Sequence, residues 1–226
     1  MIISHKHKFI FFSNPKTGSE SVRLLLRPYS NVRIVTFPTR TIHNPFYSHI
    51  TPKETREIFV SRKWDFGSYQ KFVFTRNPWK RIVSIFLMIK RLDQSNQTTF
   101  KEWLQTIDNQ GIGGGGFDSA RWRKYGTYSI DNYVGDGSGK FLVDKIFRLE
   151  DINDCLLPFL KKLNLENLPQ SIPLCIPLDS RVRSRKFASP LVMLNIHLWY
   201  KCDYSVITHK ITEINPNYFN GFCLKI

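Results

Sequence analysis

Pro15-Lys16-Thr17-Gly18-Ser19-Glu20-Ser21 holds the groups that bind an oxyanion, and it follows the apolar run Phe9-Ile10-Phe11-Phe12. Lys16 brings a full positive charge, while Thr17, Ser19 and Ser21 bring hydroxyl donors. Gly18 lets the backbone turn tightly beside a ligand. A helix opening at this point adds unpaired N–H groups and the positive end of its dipole, so the turn reads as a phosphate cradle. It is not a standard nucleotide-triphosphatase loop. That loop needs Gly, four residues, then Gly-Lys-Ser/Thr, and here the lysine precedes the loop's glycine. Taken alone, the same residues also fit a strand, a turn and a helix that bind nothing.

A second stretch, Gln70 to Phe86, repeats the pattern of a short apolar strand passing into a helix. Asn77 can cap that helix, and Pro78 sits at its first position, where a missing N–H costs nothing. Trp79, Ile82, Val83 and Phe86 recur at helical spacing and form the buried stripe. Lys80, Arg81 and Ser84 fall off it. Ser84 lies about 10 Å along the axis from the cap, where Arg76 from the strand end could meet it around one phosphate group. Solvated or structural arginines satisfy the periodicity equally well.

Together the two stretches resemble the sulfotransferase family, whose members use 3′-phosphoadenosine 5′-phosphosulfate as sulfonate donor. Pro15-Lys16-Thr17-Gly18-Ser19 looks like the family's 5′-phosphosulfate loop, and Arg76-Asn77-Pro78-Trp79-Lys80-Arg81-Ile82-Val83-Ser84 looks like its 3′-phosphate motif. The resemblance implies that Lys16, Thr17, Gly18, Ser19 and Ser21 contact the phosphosulfate and that Arg76 and Ser84 hold the 3′-phosphate. Asp131-Asn132-Tyr133, Gly139-Lys140, Val143-Asp144 and Phe147 to Ile152 are similar to a strand and helix of the carbohydrate-type and bacterial branch. Relatives of that branch close a basic loop over the nucleotide. Here Arg181, Arg183, Arg185 and Lys186, in a loop at about 179–188, are placed to do so. The likeness runs from Lys8 to roughly Tyr204. Glu20 departs from it, since relatives usually carry Thr there. A carboxylate beside a phosphosulfate must point away, pair with Lys16 or Arg23, or take part in the chemistry.

Sulfonate transfer needs a base for the acceptor hydroxyl and a cation for the leaving phosphate. Lys16 can supply the cation without a metal. An imidazole titrates near neutrality and suits the base, and the chain offers His43 and His49 in one segment. Phe46-Tyr47-Ser48-His49 looks like the stretch carrying the catalytic histidine in some uronyl and related sulfotransferases, which favours His49. His43 and Glu20 are the alternates. No adenine-stacking residue stands out among Trp122, Tyr125, Tyr128 and Phe187.

The elements that must position these groups alternate along the chain. Strands near 8–13, 31–36, 71–75 and 142–148 interleave with helices near 19–27, 52–62, 78–91, 98–107, 151–163 and 190–203. Such alternation predicts an α/β chain with a parallel sheet flanked by helices, both motifs at its carboxyl edge. The resemblance makes this the P-loop-NTPase-like sulfotransferase fold. The 226 residues, 42% of them hydrophobic, fit one domain, 1–226. The glycine-rich segment 108–128 reads as a mobile loop over the acceptor site.

Thirty-three Lys and Arg against 18 Asp and Glu give a net charge of +15, which steers polyanions inward. Zinc-ligand spacing, a helix-turn-helix pattern and long basic tracts are absent, which argues against nucleic acid. Four cysteines without metal spacing suggest a reducing compartment. No apolar run spans a bilayer and no signal-peptide core is visible, so a cytoplasmic enzyme without a membrane association is expected. The acceptor expected is a hydroxyl of a carbohydrate or of a small secondary metabolite; the oligomeric state is not legible. Two other classes fit less well: a catalytically silent polyanion- or nucleotide-binding module, and a P-loop-type phosphotransferase.

Overall fold

A computed structural model describes residues 1–95, 97–105 and 129–172. Four strands, β1 (Ile2–Ser4), β2 (Phe9–Phe12), β3 (Gln70–Thr75) and β4 (Lys145–Arg148), form one sheet in the order β1-β2-β3-β4. β2 pairs parallel with β3 and β3 with β4, with Phe11 opposite Phe72 and Phe74 opposite Phe147. β1 joins β2 antiparallel, so a mixed edge extends the parallel sheet expected from the sequence.

All four residues of β2 are fully buried, as befits a parallel strand covered on both faces. Strand alternation divides the core. Ile10, Phe12, Val73 and Ile146 point to one face, where they meet Phe59 of α2 (Pro52–Ser61) and Tyr133 of α5 (Ile130–Val134). Phe9, Phe11, Phe72, Phe74 and Phe147 point to the other, against Val22 and Leu26 of α1 (Ser19–Leu26) and Leu156 and Leu160 of α6 (Ile152–Lys162). A third cluster joins α3 (Pro78–Leu92) to α4 (Phe100–Gln105) through Trp79, Ile82, Val83 and Phe86 against Phe100 and Trp103.

Residues 31–36 do not form the expected strand; their only β pairing is one bridge from Val35 to Tyr47. The physical reason is that β1 already occupies the free edge of β2, and Asn31 is tied to it by its N–H on the Ile3 carbonyl, 2.9 Å. Val32 and Ile34 instead pack half-buried on the core. The expected helix at 98–107 begins at Phe100 as α4, the strand expected from 142 begins at Lys145, and α5 was not anticipated. The segments 108–128, 179–188 and 190–203 lie outside the described residues or extend beyond them. Among the described residues no helix is long and apolar enough to cross a membrane.

The consequence for function lies in the adjacency of β2 and β3. The Pro15–Ser21 turn leaves the carboxyl end of one and Arg76-Asn77-Pro78 the carboxyl end of the other, so both motifs open at one edge of the sheet.

Candidate active site

The turn after β2 is held from behind. Thr17 Oγ1 donates to the Asn14 carbonyl at 2.8 Å. Arg81 Nε donates to the Pro15 carbonyl at 3.3 Å and its Nη2 to Asn14 Oδ1 at 3.0 Å. Arg76 Nη1 donates to the Lys16 carbonyl at 3.3 Å, and Asn14 Nδ2 to the Phe74 carbonyl at 3.3 Å. With the carbonyls of Asn14, Pro15 and Lys16 engaged by the protein, the turn has its amide donors left to offer. Gly18 is the N-cap of α1 and supplies no side-chain cap to the first turn of the helix. Lys16 and Gly18 both sit at positive φ, 64° and 72°. At Gly18 a Cβ would also lie 2.5 Å from Leu149 Cδ1, so a side chain there would be strained and would displace Leu149. Thr17, Ser19 and Ser21 are buried in this turn, and the Thr17 hydroxyl proton is already committed inward.

Arg81 takes the structural one of the places open to it. It lies off the apolar stripe yet is fully buried, because its partners are loop groups more than sixty residues away in sequence. Asn14, Leu149 and Arg81 are the supporting residues that periodicity misses. The signal available was a second cation five residues after Arg76, beside a helix cap.

Lys16 reaches across to α3, its Nζ 3.7 Å from Met88 Sδ. Met88 is one turn beyond Ser84 on the same helix face, so Lys16, Arg76 and Ser84 come together between the turn and α3. Burial lowers the Lys16 ammonium from its ordinary value, and the neighbouring charges of Arg76 and Arg91 add to this, against a smaller opposing pull from Glu20. Arg76 is buried, and that burial likewise pushes its guanidinium down while Glu150 supports it. Glu150 Oε1 also accepts the Asn77 N–H at 3.0 Å, and Asn77 caps α3 by accepting from the Lys80 N–H. Glu20 pairs with Arg23 in an exposed contact at positions i and i+3.

His49 is the histidine brought to this edge. Its Nδ1 lies 2.7 Å from the Ser13 carbonyl. A carbonyl only accepts, so Nδ1 carries the proton and Nε2 presents the lone pair. Burial lowers the imidazole pKa from 6.5 to about 3; the hydrogen bond to Ser13 opposes this, and the Met1 ammonium, Arg23 and Lys16 deepen it. The segment around it is pinned on several sides. The Met1 ammonium donates to Ser13 Oγ at 2.6 Å and to the Ser48 carbonyl at 2.7 Å. Tyr133 Oη donates to the Ile50 carbonyl at 3.1 Å. Thr51 and Glu54 form a capping box that starts α2, and Tyr47 Oη donates to both Glu54 oxygens at 2.9 Å. His43 is elsewhere. It is exposed, and its carbonyl accepts from Arg62 at the far end of α2, a ten-residue helix about 15 Å long.

Arg181, Arg183, Arg185 and Lys186 lie outside the described residues. Among the described residues no group of three or more His, Cys, Asp or Glu could hold a metal ion.

Comparison with known proteins points to one family. A family model described as "Sulfotransferase family" matches residues 1–206. An uncharacterized protein of Archaeoglobus fulgidus is 30% identical over 100 residues, which is 44% of this chain and 72% of that protein. No solved structure matches.

Proposed function

This chain belongs to the sulfotransferase family, and from that premise we propose that it moves a sulfonate group from 3′-phosphoadenosine 5′-phosphosulfate to a hydroxyl of a carbohydrate or small-molecule acceptor. One observation carries the reading. Arg76 of the second motif donates to the Lys16 carbonyl of the first, and the Lys16 ammonium rests on Met88, one turn beyond Ser84. Two anion-binding elements from adjacent strands thus form one basic site, which fits a nucleotide carrying phosphate at both ends.

In this reading the acceptor oxygen attacks sulfur in line with the departing phosphate. The bond between sulfur and the phosphate oxygen breaks, and the acceptor proton passes to His49 Nε2. Lys16 and the amides of the turn balance the charge left on the phosphate. His49 is a weak base in the free protein chiefly because it is buried, and the cations around it deepen this. A donor with about four negative charges offsets the cations' part of this, so the imidazole gains basicity when the donor is bound.

Calorimetric titration of 3′-phosphoadenosine 5′-phosphate and of ATP, with and without magnesium, tests the assignment. Metal-independent preference for the 3′-phosphorylated nucleotide is expected. Preference for magnesium ATP would favour a phosphotransferase, and no binding of either nucleotide would favour a silent polyanion-binding module.

A further inference from the structure

Leu149, Glu150 and Asp151 form one 3₁₀ turn between β4 and α6. Successive side chains of such a turn point roughly 120° apart, so three neighbours serve three directions. Leu149 is buried against the first motif, in the space a side chain at Gly18 would need. Asp151 turns back to Arg148 in an ion pair of 3.1 Å. Glu150 reaches the second motif, where its Oε1 accepts the Asn77 N–H at 3.0 Å. The sheet register prepares this contact. Thr75 of β3 stands opposite Arg148 of β4, and the same offset carried two residues on brings Asn77 level with Glu150. The turn after β4 thus touches both motifs.

The N–H that Glu150 holds lies in the peptide plane joining Arg76 to Asn77. Fixing that plane fixes the direction in which the Arg76 side chain leaves the end of β3. It also fixes the start of α3, which Asn77 caps and which carries Ser84. We propose that Glu150 is a positioning residue of the donor site: by holding the Asn77 N–H it sets Arg76 and Ser84 in register, and so sets the preference for a nucleotide that carries a 3′-phosphate. The inference rests on the sulfotransferase reading above. A carboxylate beside a phosphate site opposes the ligand by its charge, but Glu150 is exposed, and water weakens that opposition. The bond to the backbone acts whatever the charge of the ligand. Glu150 also favours the charge of Arg76 against the cost of its burial. Because Glu150 is exposed, water can take over the Asn77 N–H when the carboxylate is removed, so the fold survives the loss while the alignment does not.

Calorimetric titration of 3′-phosphoadenosine 5′-phosphate and of adenosine 5′-phosphate tests this, since the two ligands differ only in the 3′-phosphate. The unmutated protein is expected to prefer the first. Glu150→Ala should reduce that preference about tenfold by weakening the 3′-phosphorylated nucleotide, with the affinity for adenosine 5′-phosphate nearly unchanged. Glu150→Gln keeps an oxygen for the Asn77 N–H and should retain most of the preference. A purely structural role would weaken both nucleotides alike and leave their ratio where it was, and that result overturns the proposal. A loss in Glu150→Gln as large as in Glu150→Ala overturns it too, because the charge and not the hydrogen bond would then set the preference. If the unmutated protein does not prefer the 3′-phosphorylated nucleotide, the sulfotransferase reading falls and this inference with it; a preference that survives intact in Glu150→Ala sinks the inference alone.

Discussion

His49 is kept neutral by its surroundings, and this links it to stability with a definite sign. Its pKa is about 3 in the folded chain against 6.5 for the free side chain. Between those values the unfolded chain holds a proton that the folded one refuses, so stability is complete above pH 6.5 and falls as pH is lowered toward 3. Over the two units from 6.5 to 4.5 the loss attributable to this residue is about 2–3 kcal/mol. Urea unfolding across that range should show it. His49→Asn keeps an amide donor for the Ser13 carbonyl but does not titrate, so its stability should fall less steeply. The same variant should lower turnover by about 10²–10⁴ while leaving nucleotide affinity unchanged. Turnover retained in His49→Asn and His49→Ala alike would take the base role away from this residue.

At the scale of elements, His49, the proposed base, stands just before a helix start that helps to place it. The Thr51–Glu54 capping box begins α2 two residues after His49, and Tyr47 anchors the same carboxylate from the other side. Thr51→Ala removes the cap and should cost about 1 kcal/mol of stability, read as a lower urea midpoint with an unchanged slope. Because the site is displaced and not dismantled, turnover should drop with nucleotide affinity intact; weakened nucleotide binding would mean that the cap supports the donor site instead. This element was legible in the sequence, since Thr51-Pro52 and Asn77-Pro78 are local signals and helix start is a local event. The places of Lys16 and Arg76 were legible for the same reason, each lying at a strand-to-helix junction, while Ser84 follows from the periodicity of α3. What escaped was set by distant partners. β1 is three residues long and acquires its meaning only by pairing with β2. Residues 31–36 had the composition of a strand but found the edge taken. Arg81 could be solvated or structural by periodicity, and it is buried because loop oxygens of Asn14 and Pro15 accept from it. Glu20 admitted three orientations, and only the i,i+3 geometry with Arg23 chose among them.

For the molecule as a whole, a net charge of +15 makes salt act in opposite directions on the free and bound states. Like charges in the compact chain repel, and Lys16 and Arg76 add cations that are partly or wholly withdrawn from water. Raising ionic strength shortens the Debye length from about 30 Å at 0.01 M to about 10 Å at 0.1 M, which relieves this repulsion and should raise the melting temperature of the free protein. The same screening weakens attraction for a nucleotide with about four negative charges, so its dissociation constant should rise by about tenfold or more over that range. At low salt a nucleotide concentration about a hundred times the dissociation constant contributes about 2.7 kcal/mol, worth roughly 5–10 °C for a chain of this size. At a fixed nucleotide concentration that increment should shrink as salt increases while the baseline climbs. Thermal unfolding at a series of salt concentrations, with and without 3′-phosphoadenosine 5′-phosphate, measures both trends together. An increment independent of salt would mean that contacts other than the Lys16 and Arg76 charges dominate nucleotide binding, and the two-motif basic site would lose its central role.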